Sequence, residues 1–182
     1  MSFDQQQFAY LRNRRTTHAL LVLVEKLKSG LLAGKKAGVV FFDFADAFGS
    51  VDRDCLLVKV GRDLGISGKL VLHIRRFLSD RFARIKANGL VGEWIESFHG
   101  TSAGTRLGPL LFIMYMHDVP KCIYPKFADD LVAIAIRSDL KSVVCVLQHA
   151  VDEFVSWSRE WGGAQRNKDK SNAIRKQWWR SG

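Results

Sequence analysis

Cysteine is scarce in this sequence, and the three that occur are Cys55, Cys122 and Cys145. They are far apart, odd in number and without metal-ligand spacing, so we interpret them as reduced thiols of an intracellular protein. Long apolar runs are also missing. The run from Leu20 to Val24 is too short to span a bilayer, and Glu25 follows it. We therefore expect no membrane segment and no signal peptide.

Acidic residues are outnumbered: 18 Asp and Glu face 28 Lys and Arg, which gives a net charge of +10 and a pI near 9.8. This excess favours a polyanionic partner, and nucleic acid is the first candidate. The alternative is charge that serves only solubility, because the basic residues are spread along the chain. A hydrophobic content of 47% in 182 residues suits one globular core, and no repeat or low-complexity segment occurs.

Two adjacent carboxylates, Asp129 and Asp130, separate the apolar runs at residues 122–124 and 131–136. This pattern predicts a hairpin with two negative charges at its tip, which repel each other unless a cation such as Mg²⁺ is bound. Asp43 ends another apolar run, which predicts a central strand covered on both faces. If the two strands are neighbours, the three carboxylates form a metal-binding cage. The alternative is a solvated turn.

Local signals predict the other elements. Thr16 or Thr17 caps a helix that ends at Gly34, and its core-facing stripe is Leu20, Leu23, Val24, Leu27 and Leu31. Further helices begin near Asp52, near Ser67, after the glycine-rich loop at residues 100–108, and at Ser138 or Asp139. The last of these carries an apolar stripe from Val143 and Val144 to Trp161, and Gly162-Gly163 ends it. Asn88-Gly89 predicts a β-hairpin.

The residues also resemble the reverse transcriptase domain of non-LTR (LINE- and jockey-like) retrotransposons. Residues 41–48 look like its first motif, residues 100–112 like its second, and Phe127-Ala128-Asp129-Asp130 like its third. Residues 157–171 look like the stretch that carries the fourth. The resemblance runs in the expected order from about residue 7 to residue 171.

That resemblance implies an α+β fold: a polymerase palm, with an antiparallel sheet backed by helices, partial fingers and no thumb. Residues 1–37 would be partial fingers and a lead-in helix, and residues 38–50 the palm strand with the first catalytic aspartate. Residues 51–98 would be fingers helices and a hairpin, and residues 99–182 a palm incomplete at its C-terminus. We expect the missing fingers, thumb or endonuclease segments to belong to a longer polyprotein, in the nucleus or cytoplasm.

The implied reaction is RNA-templated addition of deoxynucleotides to the 3′ end of a DNA primer. Its cofactor would be two Mg²⁺ ions, with Mn²⁺ as the alternative. By resemblance, Asp43, Asp129 and Asp130 are catalytic and hold the metal, and the backbone carbonyl of Phe44 adds a ligand.

Further residues gain roles from the resemblance alone. The nucleotide would lie at Phe48, Gly104 and Lys170, where Phe48 excludes a 2′-hydroxyl and Lys170 offsets charge on the triphosphate. The alternatives are a core aromatic for Phe48 and a solvated lysine for Lys170. The template would contact the basic residues of the predicted hairpin, which are Arg81, Arg84 and Lys86.

The sequence departs from the family's usual motifs at several positions. Ser102-Ala103-Gly104 stands where Pro-Gln-Gly is usual, Asp46 to Gly49 where Lys-Ala-Phe-Asp is usual, and Asn167-Lys168 where Asn-Pro is usual. These departures support a second hypothesis, an inactive or truncated remnant that at most binds nucleic acid. A third is an unrelated basic α/β nucleic-acid-binding module, which explains the charge but not the placement of the carboxylates.

Overall fold

A computed structural model of the chain describes residues 4–44, 46–97, 99–101 and 104–161. It is a mixed structure of helices and antiparallel sheets. In chain order its elements are α1 (Thr16–Leu32), β1 (Lys36–Phe42), α2 (Arg53–Val58) with a π-helical continuation (Lys59–Asp63), α3 (Gly68–Leu78), β2 (Phe82–Ala83), β3 (Lys86–Ala87), β4 (Leu90–Val91), β5 (Ile95–Glu96), α4 (Leu107–Tyr115), β6 (Ile123–Phe127), β7 (Asp130–Arg137) and α5 (Leu140–Trp161).

The main sheet has three antiparallel strands in the order β1-β7-β6. Strands β1 and β7 pair without interruption from Lys36 opposite Arg137 to Phe42 opposite Leu131. The predicted central position of β1 is wrong, because β7 is the middle strand. The predicted cover on both faces is also incomplete, because no residue of β1 is fully buried and Phe41 is 70% exposed. A continuous apolar run does not distinguish a middle strand from an outer one.

Helices α5 and α1 cover opposite faces of this sheet, and a glycine allows each close approach. A Cβ atom at Gly38 would lie 2.7 Å from Cγ1 of Val143 and 2.8 Å from Cδ1 of Leu147 in α5. A Cβ atom at Gly30 in α1 would lie 2.5 Å from Cγ2 of Ile136. Ile136 pairs with the neighbour of Gly38 in β1, and adjacent residues of a strand point to opposite faces.

The predicted core stripe of α1 is largely wrong. Leu20, Val24 and Leu31 are 59%, 50% and 59% exposed, whereas Ala19 and Gly30 are buried. The helix turns its smallest residues toward the sheet, which brings the two backbones close and leaves the large side chains outside. Periodicity locates an apolar face, but it does not show which edge of that face makes contact. The helix ends as predicted, with Gly34 at a φ of 71° just after its last turn.

Several other helix signals are confirmed. The Asp52 carboxylate caps α2 by accepting a hydrogen bond of 2.8 Å from the amide of Cys55, and Asp139 caps α5 by accepting one of 2.8 Å from the amide of Ser142. Within the predicted stripe of α5, Trp157 is buried but Val144 is 59% exposed. The predicted end at residues 162–163 lies outside the described residues.

The hairpin predicted at Asn88-Gly89 is also present. Asn88 and Gly89 both have positive φ angles, 49° and 79°, as a two-residue type I′ connection requires. Its ladders are short: β3 pairs with β4 next to the turn, and β2 pairs with β5 further from the turn. All eight strand residues are exposed.

The hydrophobic core lies between α2, α4 and the sheet. It includes side chains that are almost completely buried from each of these elements, among them Leu56, Leu111, Phe112, Ile123 and Leu131. Cys55 belongs to this core, whereas Cys122 and Cys145 are exposed. In the described part of the chain, no helix has the length and apolar character needed to cross a membrane.

Candidate active site

A tight hairpin carries the two adjacent carboxylates. Phe127 at the end of β6 pairs with Asp130 at the start of β7, so Ala128 and Asp129 form the two-residue connection. Ala128 is 4% exposed and has a φ of 54°, in a position where such turns favour glycine. Asp129 is half-buried and Asp130 is exposed. The predicted hairpin is therefore confirmed.

Asp43 follows directly on the neighbouring strand. The last pair of β1 and β7 is Phe42 with Leu131. Asp43 comes one residue after this last pair, and Asp130 one residue before it on β7. Asp43 is exposed, as Asp130 is. The three carboxylates thus lie at the same end of two neighbouring strands, next to the hairpin connection.

The local chemistry suits a hard cation, but the side chains do not close into a complete cage. Within the described residues, none of the carboxylates of Asp43, Asp129 and Asp130 is in a salt bridge with a basic side chain. Unneutralised carboxylate oxygens are the ligands that Mg²⁺ and Mn²⁺ prefer. Yet no group of three His, Cys, Asp or Glu side chains in the described ranges is close enough to hold a metal ion. The donor chemistry fits a divalent ion, and the strand register places two of the donors side by side.

The aromatic residues after Asp43 are held by the core. The Phe44 ring lies 5.7 Å from that of Phe154 and 6.4 Å from that of Trp157, centroid to centroid. The Phe48 ring lies 4.9 Å from that of Phe112. Phe48 is half-buried, so it packs as a core aromatic while part of its side chain faces solvent.

The loop before α4 is fastened to the turn that follows Asp43. The Thr101 amide donates a hydrogen bond of 2.9 Å to the Phe48 carbonyl, and the Gly100 amide donates one of 2.7 Å to the carbonyl of Val51. Gly100 has a φ of 87°, and a Cβ atom there would lie 3.0 Å from both the Phe48 oxygen and Cα of Gly49. Only glycine fits this close backbone contact.

Arg53 completes this attachment, a role that the sequence analysis did not predict. Its guanidinium donates hydrogen bonds to the carbonyls of Gly100 at 2.9 Å, Ser97 at 2.6 Å and His99 at 2.7 Å. Burial lowers the pKa of Arg53, and the nearby charge of Arg81 lowers it further. Because its acceptors are 44–47 residues away in sequence, no local pattern could reveal this role.

The predicted nucleotide-binding residues are only partly described. Gly104 is exposed with a φ of 77°, and no described atom lies within 4 Å of the position its Cβ would take. Lys170, together with Ser102 and Ala103, lies outside the described residues.

The predicted template-binding residues differ in their surroundings. The Nε of Arg81 donates a 3.0 Å hydrogen bond to the carbonyl of Phe77 at the end of α3, and its guanidinium lies over the Phe77 ring. Arg84 is exposed and lies over the indole of Trp94, 4.4 Å from the centroid, and Trp94 itself is 61% exposed. Lys86 is exposed in β3. The hairpin therefore presents Arg84, Lys86 and Trp94 to solvent, whereas Arg81 binds the adjacent helix end.

A buried lysine is the largest feature that the sequence did not reveal. Lys59 is 0% exposed, and its ammonium contacts Oδ1 of Asp118 at 2.5 Å and the Tyr115 carbonyl at 2.9 Å. The same ammonium lies 4.7, 4.9 and 4.3 Å from the ring centroids of Tyr115, Trp157 and Trp161. Burial lowers the pKa of Lys59, and Asp118 opposes that shift. This cluster joins the π-helical segment to α4 and α5.

The structure defines the class of this chain as a basic domain of mixed helices and antiparallel sheets. The family model described as reverse transcriptase (RNA-dependent DNA polymerase) matches residues 1–179, so the chain belongs to that family. Two relatives are the probable RNA-directed DNA polymerase from transposon X-element of Drosophila melanogaster, 25% identical, and the RNA-directed DNA polymerase from mobile element jockey of Drosophila funebris, 26% identical.

Each alignment covers 93% of this chain but only 19% and 20% of the respective relative. The chain thus spans about a fifth of the length of the curated relatives it matches. These findings confirm the resemblance to jockey-like retrotransposon polymerases, and the chain is a reverse transcriptase domain homologous to them.

Proposed function

We propose that this chain carries the catalytic centre of an RNA-directed DNA polymerase, which adds deoxynucleotides to a primer 3′ end under the direction of an RNA template. The observation that supports it best is the register of β1 against β7, which brings the end of β1, just before Asp43, next to the start of β7 and the Asp129 turn. In this proposal the three-stranded sheet with its helices is the palm, and residues 51–98 belong to the fingers.

Asp43 and Asp129 would hold divalent ions, with Asp130 and the carbonyl of Phe44 assisting. When bound, the ions supply positive charge at the attacking 3′ oxygen and the leaving pyrophosphate. The protein's own contribution is to keep these carboxylates at fixed positions. Strand pairing fixes Asp130, the two-residue turn fixes Asp129, and the core contacts of the Phe44 ring secure the chain just after Asp43.

Charged and exposed groups of this chain suit the substrates. Phe48 and Gly104 would lie next to the nucleotide, and Lys170 near its triphosphate. The exposed Arg84, Lys86 and Trp94 combine positive charge with an aromatic face, which suits a single-stranded template. The net charge of +10 favours binding of RNA and primer as a whole.

Primer extension on poly(rA)/oligo(dT) with Mg²⁺ tests the proposal. We expect the parent chain to extend the primer and the Asp129→Asn, Asp130→Asn variant to lose at least about a hundredfold in rate, since the carboxylates carry the charge stabilisation. Asp152→Asn, an exposed change on α5, is the matched control and should extend like the parent.

Equal extension by the parent and the double variant would contradict the assignment of the aspartates. A folded parent that binds RNA in a salt-sensitive way but extends no primer would favour the alternative, a remnant without catalytic activity.

A further inference from the structure

The segment before α1 lies along the outer edge of β6. The Phe8 amide donates a hydrogen bond of 2.8 Å to the carbonyl of Lys126, and the Lys126 amide donates one of 3.0 Å to the carbonyl of Gln6. Gln7 and Lys126 therefore form a parallel bridge. The segment pairs with the strand that leads into the Asp129 turn, although it is more than a hundred residues away in sequence.

Buried polar contacts fasten this segment. The Lys126 side chain is 1% exposed, and its ammonium lies 2.7 Å from Oδ2 of Asp4. The same ammonium donates a hydrogen bond of 3.2 Å to the carbonyl of Val119. Gln7 is only 4% exposed. The Gln7 side chain is therefore held in place, because it is buried and because its neighbours Gln6 and Phe8 both form main-chain hydrogen bonds with Lys126.

The Gln7 carboxamide contacts the hairpin turn directly. Its Oε1 accepts hydrogen bonds from the amide of Ala128 at 3.1 Å and from the amide of Ala9 at 2.9 Å. Ala128 has a positive φ and is buried, so its amide is in a conformation that an alanine adopts at a cost. The hydrogen bond that the Ala128 amide donates to Gln7 offsets that cost, and it satisfies this buried donor immediately before Asp129.

We propose that Gln7 is a positioning residue, which fixes the turn at Ala128 and thereby sets the place of the Asp129 carboxylate for metal binding. The link to metal binding rests on the proposed function, whereas the positioning itself rests on the geometry of the turn. A neutral acceptor suits the site. An apolar side chain would leave the Ala128 amide buried without a partner, and a carboxylate would add a negative charge beside Asp129 and Asp130.

The sequence itself supplies a matched control, because three glutamines are consecutive. The Oε1 of Gln6 is buried without a hydrogen-bond partner among the described atoms, so Gln6→Leu removes no bond from that oxygen. Gln7→Leu makes the same chemical change one residue later and removes the acceptor of Ala128. Gln7→Glu keeps an oxygen acceptor and serves as the conservative variant.

Amide hydrogen exchange of the full chain tests whether Gln7 fixes the turn. In Gln7→Leu we expect the Ala128 amide to exchange about tenfold faster or more, while the amides between β1 and β7 keep their protection. Gln6→Leu should leave the Ala128 amide unchanged, and Gln7→Glu should restore its protection. Unchanged exchange of Ala128 in Gln7→Leu would overturn the inference, as would a general loss of protection across the sheet.

Mn²⁺ binding, followed by electron paramagnetic resonance, tests the link to the metal. The parent should bind Mn²⁺ and Asp129→Asn should not; failure of that comparison counts against the proposed function, while the exchange experiment still decides whether Gln7 fixes the turn. If the comparison holds, we expect Gln7→Leu to weaken Mn²⁺ affinity about tenfold and Gln6→Leu to leave it unchanged. Unaltered affinity in Gln7→Leu, with faster exchange at Ala128, would overturn the positioning role.

Discussion

Replacing Lys59 by methionine should destabilise the folded chain by about 2–3 kcal/mol. The change removes the hydrogen bond that the ammonium donates to the Tyr115 carbonyl, and it removes the contacts of the ammonium with three aromatic rings. Removing one partner of a buried ion pair often costs about 3–5 kcal/mol, because the other charge stays buried. Asp118 is 27% exposed and keeps a 3.0 Å hydrogen bond from Nε1 of Trp157, so we expect less than that.

Urea unfolding followed by tryptophan fluorescence measures this cost, since Trp157 and Trp161 surround the ammonium. The same loss corresponds to a decrease in Tm of about 4–10 °C. Lys69→Met, an exposed change on α3, is the control and should stay within about 0.5 kcal/mol of the parent. A Lys59→Met variant as stable as the parent would refute the inference that the ammonium stabilises this cluster.

The pH dependence of this comparison has a definite sign. Burial lowers the pKa of Lys59 below its ordinary 10.5, so the unfolded chain holds this proton more tightly than the folded protein does. Between the lowered pKa and 10.5, the unfolded chain binds more protons at this site than the folded protein does. The free energy of unfolding therefore increases as the pH rises through this window. The parent should therefore gain stability relative to Lys59→Met across that window. A difference that stays constant across this window would show that the lysine is solvated, and a decrease would show that the ion pair with Asp118 raises its pKa.

Three further changes test other parts of the structure. Gly100→Ala should lower the free energy of unfolding in urea by about 2–4 kcal/mol, because the new side chain combines a positive φ with a backbone clash. Gly104→Ala should cost about 1 kcal/mol, since its Cβ meets no described atom, and equal costs would contradict the close contact at Gly100. Arg53→Lys should cost about 2 kcal/mol in the same assay, because an ammonium cannot reach all three carbonyls in the geometry of the guanidinium; an unchanged midpoint would argue against that attachment. Cys122 is exposed as a residue, but partial desolvation of its thiol and the hydrogen bond to Glu153 raise its pKa to about 11. At pH 8 its alkylation, followed by mass spectrometry, should therefore be about tenfold slower than that of glutathione and should accelerate in Glu153→Gln; a rate equal to that of glutathione would refute the shift.

Local features of the fold were predictable from the sequence because their causes are local. Asp52 and Asp139 cap helices through amides three residues away, and Asn88-Gly89 forms its turn with its own φ angles. The same holds for the hairpin at Asp129. Placing Asp43 near that hairpin needed one long-range assumption, that the two apolar strands are neighbours, and the pairing of β1 with β7 confirms that assumption.

The remaining features depend on partners far apart in sequence. Lys59 follows the last residue of α2, where the helix widens into a π-helical segment, so the regular period that assigns helix faces no longer applies. Its partner Asp118 is 59 residues away. Gln7 reaches Ala128 across 121 residues. In α1, the periodicity is real, but close packing at Gly30 rotates the apolar stripe outward.

The attachment of the loop before α4 bears on which residues of this loop can change without loss of its anchoring hydrogen bonds. The amides of Gly100 and Thr101 donate its main-chain hydrogen bonds, and the Arg53 guanidinium donates to the carbonyls of Gly100 and His99. Main-chain groups are the same whatever side chains follow, so the anchor is indifferent to the residues at positions 102 and 103. Substitutions at those two positions therefore remove none of the described anchoring hydrogen bonds, whereas a side chain at position 100 would crowd the backbone of residues 48 and 49.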